Sequence, residues 1–275
     1  MRTLVAGVVA LGFIFPLVVT VTNSLMSGRE IGRAYASVQG DAAGYRAFRL
    51  VPEMVSLDQY YTVLVLKPQF LFMYWNSVFL VVPIIVGQTV VGSMAAFAFA
   101  KLRFRGRDAL FFVYIIAMLM PFQVTLVPNY IVADRLGILN TRLAIILPGV
   151  FGAFGVFLLR QYMQSIPSIY LASARADGAS YSLVFLRVVV PLARPGIAGL
   201  AILLLADNWN MVEQPLVLLS STLKQPLSVL LGQVNSGDRG VAFAAATVYM
   251  VPLLLFFLHG EADLVRGIQL TGITG

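Results

Sequence analysis

The sequence predicts an all-α polytopic membrane protein with six transmembrane helices, and three observations carry that prediction. Of its 275 residues, 59% are hydrophobic and only 11% charged, against about 25% charged in soluble domains. Mean hydropathy is +0.88. Charge-poor runs of roughly 20 mainly apolar residues, the length that crosses a bilayer, recur along the chain.

The elements follow in order. Residues 3–28, 70–100 and 109–133 contain no Asp, Glu, Lys or Arg. Residues 143–159 are shorter but qualify with their flanks, and 241–260 form another uncharged run. Residues 188–219 are apolar but carry Arg194 near one end and Asp207 inside. The spans therefore read as about 3–25, 70–100, 109–133, 142–163, 192–218 and 241–262. The first has only Arg2 as a charged flank, a long core and no small-x-small site soon after, so it reads as a retained span and not a signal peptide. Prolines punctuate the runs: Pro16, Pro83, Pro121 with Pro128, Pro148 and Pro252. Each is either a static kink or a hinge, since membrane helices tolerate proline where neighbours satisfy the freed carbonyls. Gly149, Gly152 and Gly155 recur every three residues and permit close approach of another helix.

Loop charges set the expected orientation. Lys101, Arg103, Arg105 and Arg107 form the densest positive cluster, which places the loop between spans two and three in the cytoplasm. Both termini and the loop 164–191 then face the cytoplasm, while 26–69, 134–141 and 220–240 lie outside. The first outer loop carries five Lys/Arg, but long loops follow the charge rule poorly. The net charge of +7 is accounted for by such loops, so no nucleic acid partner is implied. Cys is absent and there is one His, which leaves no thiol nucleophile, disulfide framework or His-based metal cluster. No G-x-x-x-x-G-K-[ST] phosphate loop occurs. The chain reads as neither an enzyme nor a metal or cofactor binder.

The segment 166–195 carries the most functional information. Pro167 ends the fourth span, and Ser168 is placed to cap a short helix from residue 169 to about 176. Ala172, Ser173, Ala174 and Ala176 make that helix thin. Asp177-Gly178 stops it, and a second helix begins at Ala179-Ser180. An interfacial membrane helix would show many Lys/Arg and large apolar anchors; this one has few of either, so its composition favours docking to a protein.

The run Ala172-Ser-Ala-Arg-Ala-Asp-Gly-Ala-Ser180, followed by Arg187-Val-Val-Val-Pro191-Leu-Ala-Arg-Pro195, resembles the "EAA" coupling loop of ABC importer permeases. It is most similar to the carbohydrate importers typified by the smaller permease of the maltose transporter. Asn76-Ser77, the run 95–106, Met120-Pro121, Gln123 to Pro128, Leu136 to Thr141, Trp209-Asn210 with Pro215, and 266–275 agree in the same order, so the likeness extends from about Pro52 onward. The resemblance implies an ABC type I importer permease in the bacterial inner membrane. It implies a complex with a second, homologous permease, two ATPase subunits and an extracytoplasmic solute-binding protein. ATP and Mg would be held by the ATPase subunits, and none by this chain. Leu171, Ala172, Ser173, Ala174, Arg175, Asp177, Gly178 and Ala179 become the expected ATPase-coupling residues. The chain departs from the family pattern where an acidic residue is usual: Ala172 and Leu171 are uncharged. Arg175 or Asp177 is then the available polar contact. Thr274 stands where a Lys is common.

Asp207, Asn208, Asn210, Glu213 and Gln214 form the densest polar group in a predicted span. By spacing, Asp207, Asn210 and Gln214 share one helical face. Such a face lines a solute path, pairs with the partner permease, or lies solvated near the outer surface. In the family, the loop between spans five and six reaches the binding protein, which makes Gln233, Asn235 and Ser236 candidate contacts. His259, beside Glu261, reads as a helix-end residue more readily than as a proton relay. Two alternatives stand beside a sugar importer: an ABC permease for another solute, and a secondary transporter. The latter predicts intramembrane acid–base pairs and an inverted repeat, and neither is visible.

Overall fold

A computed structural model describes residues 2–35, 50–232 and 239–271, with residues 2 and 262–271 described by backbone alone. Every regular element among them is helical. Helix α1 is Arg2–Ser24, α2 Gly28–Tyr35 and α3 Asp58–Tyr61, which runs on into a π-helical stretch Thr62–Leu66. The long α4 is Pro68–Lys101, followed by α5 Arg107–Leu119, α6 Phe122–Arg135, α7 Leu143–Val150 and α8 Ala153–Ser165. Then come α9 Ser168–Ala176, α10 Tyr181–Val184, a π-helical stretch Phe185–Val189, α11 Val190–Leu192 and α12 Arg194–Trp209. Helices α13 Glu213–Leu218, α14 Leu227–Leu231 and α15 Arg239–Thr271 complete the order.

Among the described residues, four stretches are each long and apolar enough to cross a membrane: Thr3–Ser24, Pro68–Lys101, Leu143–Ser165 and Arg239–Glu261. Two bent pairs raise the number to six. Arg107–Leu119 and Phe122–Arg135 meet at 103°, and Tyr181–Leu192 and Arg194–Trp209 at 74°. Thus the expected third span is not one straight helix: it breaks at Met120-Pro121, where Pro121 is the N-cap of α6. The expected fifth span, 192–218, is likewise interrupted after Trp209. Prolines 16, 83, 128, 148 and 252 sit inside continuous helices. Proline also stands where new helices open, as the N-cap at Pro121, Pro167 and Pro226.

The chain forms two compact units, residues 1–75 with 226–252, and 76–225 with 253–275. In the first, α1 exposes apolar side chains along most of its length, and Val63, Phe70, Met73, Leu227, Ala244 and Ala245 make the core. Buried Gln59 fits there only because Gly28 and Gly240 lack a Cβ, which would come within 3.3 and 2.5 Å of its amide nitrogen. Tyr35 ties the unit together: its hydroxyl accepts from Asn23 Nδ2 at 2.5 Å, and its carbonyl accepts from Arg239 at 3.0 Å.

In the second unit the glycine row works as its spacing predicts. Gly149 faces Ile84, while Gly152 and Gly155 face the buried Gln88 of α4. The Gln88 amide donates to the Gly152 carbonyl at 3.2 Å, which ties α4 to the N-cap of α8. A largely apolar cluster built on Leu159, Tyr162, Met163, Ile166, Val184, Val189, Ala193 and Leu200 joins α8, the segment 181–193 and α12. Gly196 lets α12 lie directly on the Tyr162 ring, for an added Cβ would sit 2.6 Å from it.

Candidate functional site

The segment between α8 and α12 opens with a short helix, α9, that is packed on one side and exposed on the other. Ile166 leaves the helical region, with φ −67° and ψ 123°, and Pro167 turns the chain into α9. The cap differs from the expectation. Pro167 is the N-cap, Ser168 is already the first helical residue, and no side chain caps this end. The proline fixes the entry dihedral, which leaves Ser168 no capping geometry to fill. No residue of α9 is fully buried. Ala172, Ser173, Arg175 and Ala176 are exposed, and Ile169 and Tyr170 are 65% and 52% exposed.

Leu171, Ala174 and Ala179 point the other way, packed against the apolar cluster of α8 and α12. Of the residues expected to couple, these three anchor the helix, and Ala172, Ser173, Arg175, Asp177 and Gly178 form its outer surface. Ile169 and Tyr170 belong to that surface too. Their signal in the sequence is two large apolar side chains in a short helix outside any span.

Helix α9 ends as Asp177-Gly178 predicts. Gly178 has φ +83°, a left-handed conformation that costs other residues about 1–2 kcal/mol. Its N–H donates to the Arg175 carbonyl at 3.1 Å, and the Ala179 N–H donates to the Ala174 carbonyl at 3.0 Å. This pair of bonds is the Schellman motif, and the contact that accompanies it is made by Ala174 and Ala179 on the cluster. Ser180 then caps α10, accepting from the Leu183 N–H at 3.3 Å. The Arg175 guanidinium donates to the Ala179 carbonyl at 2.6 Å and lies 4.3 Å over the Tyr181 ring. It is committed inside the loop, which leaves exposed Asp177 as the charge on this turn that faces outward.

The polar group at the end of α12 is arranged differently from its sequence reading. Trp209 ends the helix, Asn210 is its C-cap, and α13 starts at Glu213 after a short non-helical break. Asp207, Asn210 and Gln214 do not share one helical face. The turn nevertheless brings all three, with Glu213, Phe122 and Gln123, around one cavity of about 480 Å³. Gln123 Nε2 donates to the Glu213 carboxylate at 3.2 Å across it. The cavity carries two carboxylates and no Lys or Arg in its wall.

Beyond α13 the chain is pinned by buried Asn76. Its Nδ2 donates to the Leu223 carbonyl at 2.6 Å and the Gln225 carbonyl at 3.3 Å, and its Oδ1 accepts from Arg142 at 2.8 Å. Asn140, in the left-handed region at φ +58°, accepts from Lys224 Nζ at 2.7 Å through its carbonyl. Gln233, Asn235, Ser236 and Thr274 lie outside the described residues. His259 and Glu261 are exposed on α15. Among the described residues no group of three or more His, Cys, Asp or Glu side chains is placed to hold a metal ion.

Residues 88–260 match the family described as binding-protein-dependent transport system inner membrane component. The arabinooligosaccharides transport system permease protein AraQ of Halalkalibacterium halodurans is 28% identical over 228 residues, 82% of this chain and 81% of that protein. The osmoprotective compounds uptake permease protein GgtD of Synechocystis is 33% identical over 70% of this chain and 67% of its own length. Among solved structures, a bacterial ABC transporter involved in the import of the acidic polysaccharide alginate aligns with a TM-score of 0.80 at 26% identity. That alignment covers 95% of this chain and 94% of the transporter chain.

Proposed function

The chain belongs to the binding-protein-dependent transport system inner membrane component family, and from that premise we propose that it is the permease subunit of an ATP-driven importer of sugars or oligosaccharides. It is a multi-pass inner-membrane protein. In this reading it forms half of a translocation path with a second, homologous permease, receives solute from an extracytoplasmic binding protein, and is moved by two ATPase subunits. Those subunits hold the ATP and Mg. Relatives named for arabinooligosaccharide and lactose transport support the sugar class.

The observation that carries the proposal is the construction of α9. A nine-residue helix is exposed on one side, anchored by Leu171 and Ala174 on the other, and closed by a glycine turn. A force applied to such a helix passes into the packed cluster of α8 and α12 and is not absorbed by a slack tether. The reading puts this helix and both termini on the cytoplasmic side.

The chain contains no Cys, which makes the test direct. A cysteine at Ser173 should crosslink to a co-purifying ATPase subunit and should resist membrane-impermeant thiol reagents in right-side-out vesicles. Labelling from the outer side, or failure to capture an ATPase, counts against the assignment.

For the solute path, the cavity beside Asp207, Asn210 and Gln214 is the favoured wall. Its amides and carboxylates suit the hydroxyl groups of neutral sugars, and its negative charge disfavours uronates. Uptake unaffected by the double substitution Asn210→Ala and Gln214→Ala would remove it from the path.

A further inference from the structure

We propose that Lys101 is a positioning residue that locks the joint between α8 and α9 to the end of α4, so that the coupling helix and the second span move as one body. This rests on the reading of α9 as the coupling helix.

The last carbonyls of α8 have no partner within the helix, and Pro167 supplies no N–H to help. Lys101 fills that gap. Its ammonium lies 2.5 Å from the Ile166 carbonyl and 3.5 Å from the Gln164 carbonyl. A cation at a helix C-terminus is favourable both as a charge-assisted donor and against the helix dipole. The side chain is half-buried, unlike Arg103 and Arg105, which are exposed. A lysine that served only to orient the protein would hold its ammonium in water or among headgroups.

The same turn of α4 also grips the chain beyond α9. Phe97, one turn before Lys101 and on the same face, packs its ring 5.2 Å from that of Phe185. Ala100 and Leu102, flanking Lys101, pack on the cluster that holds Ile166, Leu171 and Ala174. The end of α4 therefore touches the loop before and after a helix that has no buried residue of its own. Of these contacts, the ammonium is the one that bonds to the main chain of the joint, beside the buried Ile166 side chain. Its acceptors are main-chain carbonyls, so the lock does not depend on which side chains stand at 164 and 166.

The test uses the assembled complex in nanodiscs and proteoliposomes, with Lys101→Met, which keeps an aliphatic stem and loses the donor, and Lys101→Arg, which keeps the charge. Spin labels on cysteines at Met94 and Ser173 report the distance from α4 to α9. Lys101→Met should broaden that distance distribution and lower the solute imported per ATP hydrolysed several-fold, while Lys101→Arg stays near the parent in both. An unbroadened distribution in Lys101→Met overturns the proposal, and so does broadening with an unchanged import-to-hydrolysis ratio. If Lys101→Met does not assemble, Lys101→Ala, which also lacks the donor, is measured by the same two criteria. The distance reads this chain's own joint. A parent protein that captured no ATPase would instead sink the functional reading and leave the lock measurable.

Discussion

Gly178 offers the cleanest single perturbation of the loop between α8 and α12. Its φ of +83° lies in the left-handed region, and no atom stands within 4 Å of where a Cβ would be. Substitution by Ala therefore meets no clash, and its whole cost is backbone strain, about 1–2 kcal/mol. That energy is a factor of about 5–30 in a local opening equilibrium. The amides that report it are those of Gly178 and Ala179, which donate to the Arg175 and Ala174 carbonyls. Hydrogen exchange in a peptide covering 168–180 should accelerate by that factor in Gly178→Ala. It should accelerate less in Gly178→Asn, because asparagine tolerates the left-handed region better. A built-in control exists at the end of α6. Gly137 has φ +67° and open space around it, and the Ile138 and Gly137 amides donate to the Ala133 and Asp134 carbonyls in the same motif. Gly137→Ala should speed exchange at 133–138 and leave 168–180 unchanged. If Gly178→Ala exchanges like the parent, or Gly178→Asn exchanges faster than Gly178→Ala, strain at this residue does not govern the turn.

Two further predictions concern packing. Asn76→Ala removes two donated bonds and the acceptor of the Arg142 guanidinium at a buried position. At about 1 kcal/mol for each of the two neutral bonds and about 1.5–3 for the charged one, the loss should total about 3.5–5 kcal/mol, seen as a lower thermal unfolding midpoint of the purified complex; an unchanged midpoint refutes the pinning role. Gly196→Ala drives a Cβ to 2.6 Å from the buried Tyr162 ring, an overpacking that typically costs about 1–3 kcal/mol. Gly199→Ala, on the same helix with nothing within 4 Å, should show no such loss, and equal effects at the two positions would contradict the close approach of α8 and α12.

What the sequence reveals and what it hides divide along a physical line. Local requirements are legible. The Asp177-Gly178 stop is visible because few residues other than glycine accept that backbone, and Gly149, Gly152 and Gly155 announce a contact because three small residues recur at every third position. The broad helical content follows from charge-poor runs. Features set by a distant partner are not legible. The break after Trp209 escapes a spacing argument, because Asp207 to Gln214 contains no proline or glycine to mark it. Its geometry is shared with Phe122 and Gln123, more than 80 residues earlier in the chain, as about 3.6 residues per turn cannot reveal. Pro121 signals an interruption, yet nothing local sets its angle at 103°.

Arg175 and Lys101 make the same point about charge. In the sequence, one is a spare cation for a missing acidic contact and the other an orientation signal. In the fold both cations are taken up by main-chain carbonyls, of Ala179 in one case and of Gln164 and Ile166 in the other. A backbone carbonyl is present at every residue, so it leaves no compositional trace. Cations that brace a joint are therefore indistinguishable, residue by residue, from cations that face a partner until the chain's path is known. The consequence for coupling is specific. With Arg175 spent internally and Ala172 uncharged, a partner docking on α9 as proposed would meet Ile169, Tyr170, the small side chains between them and Asp177, and the rigidity of the joint behind would carry the load.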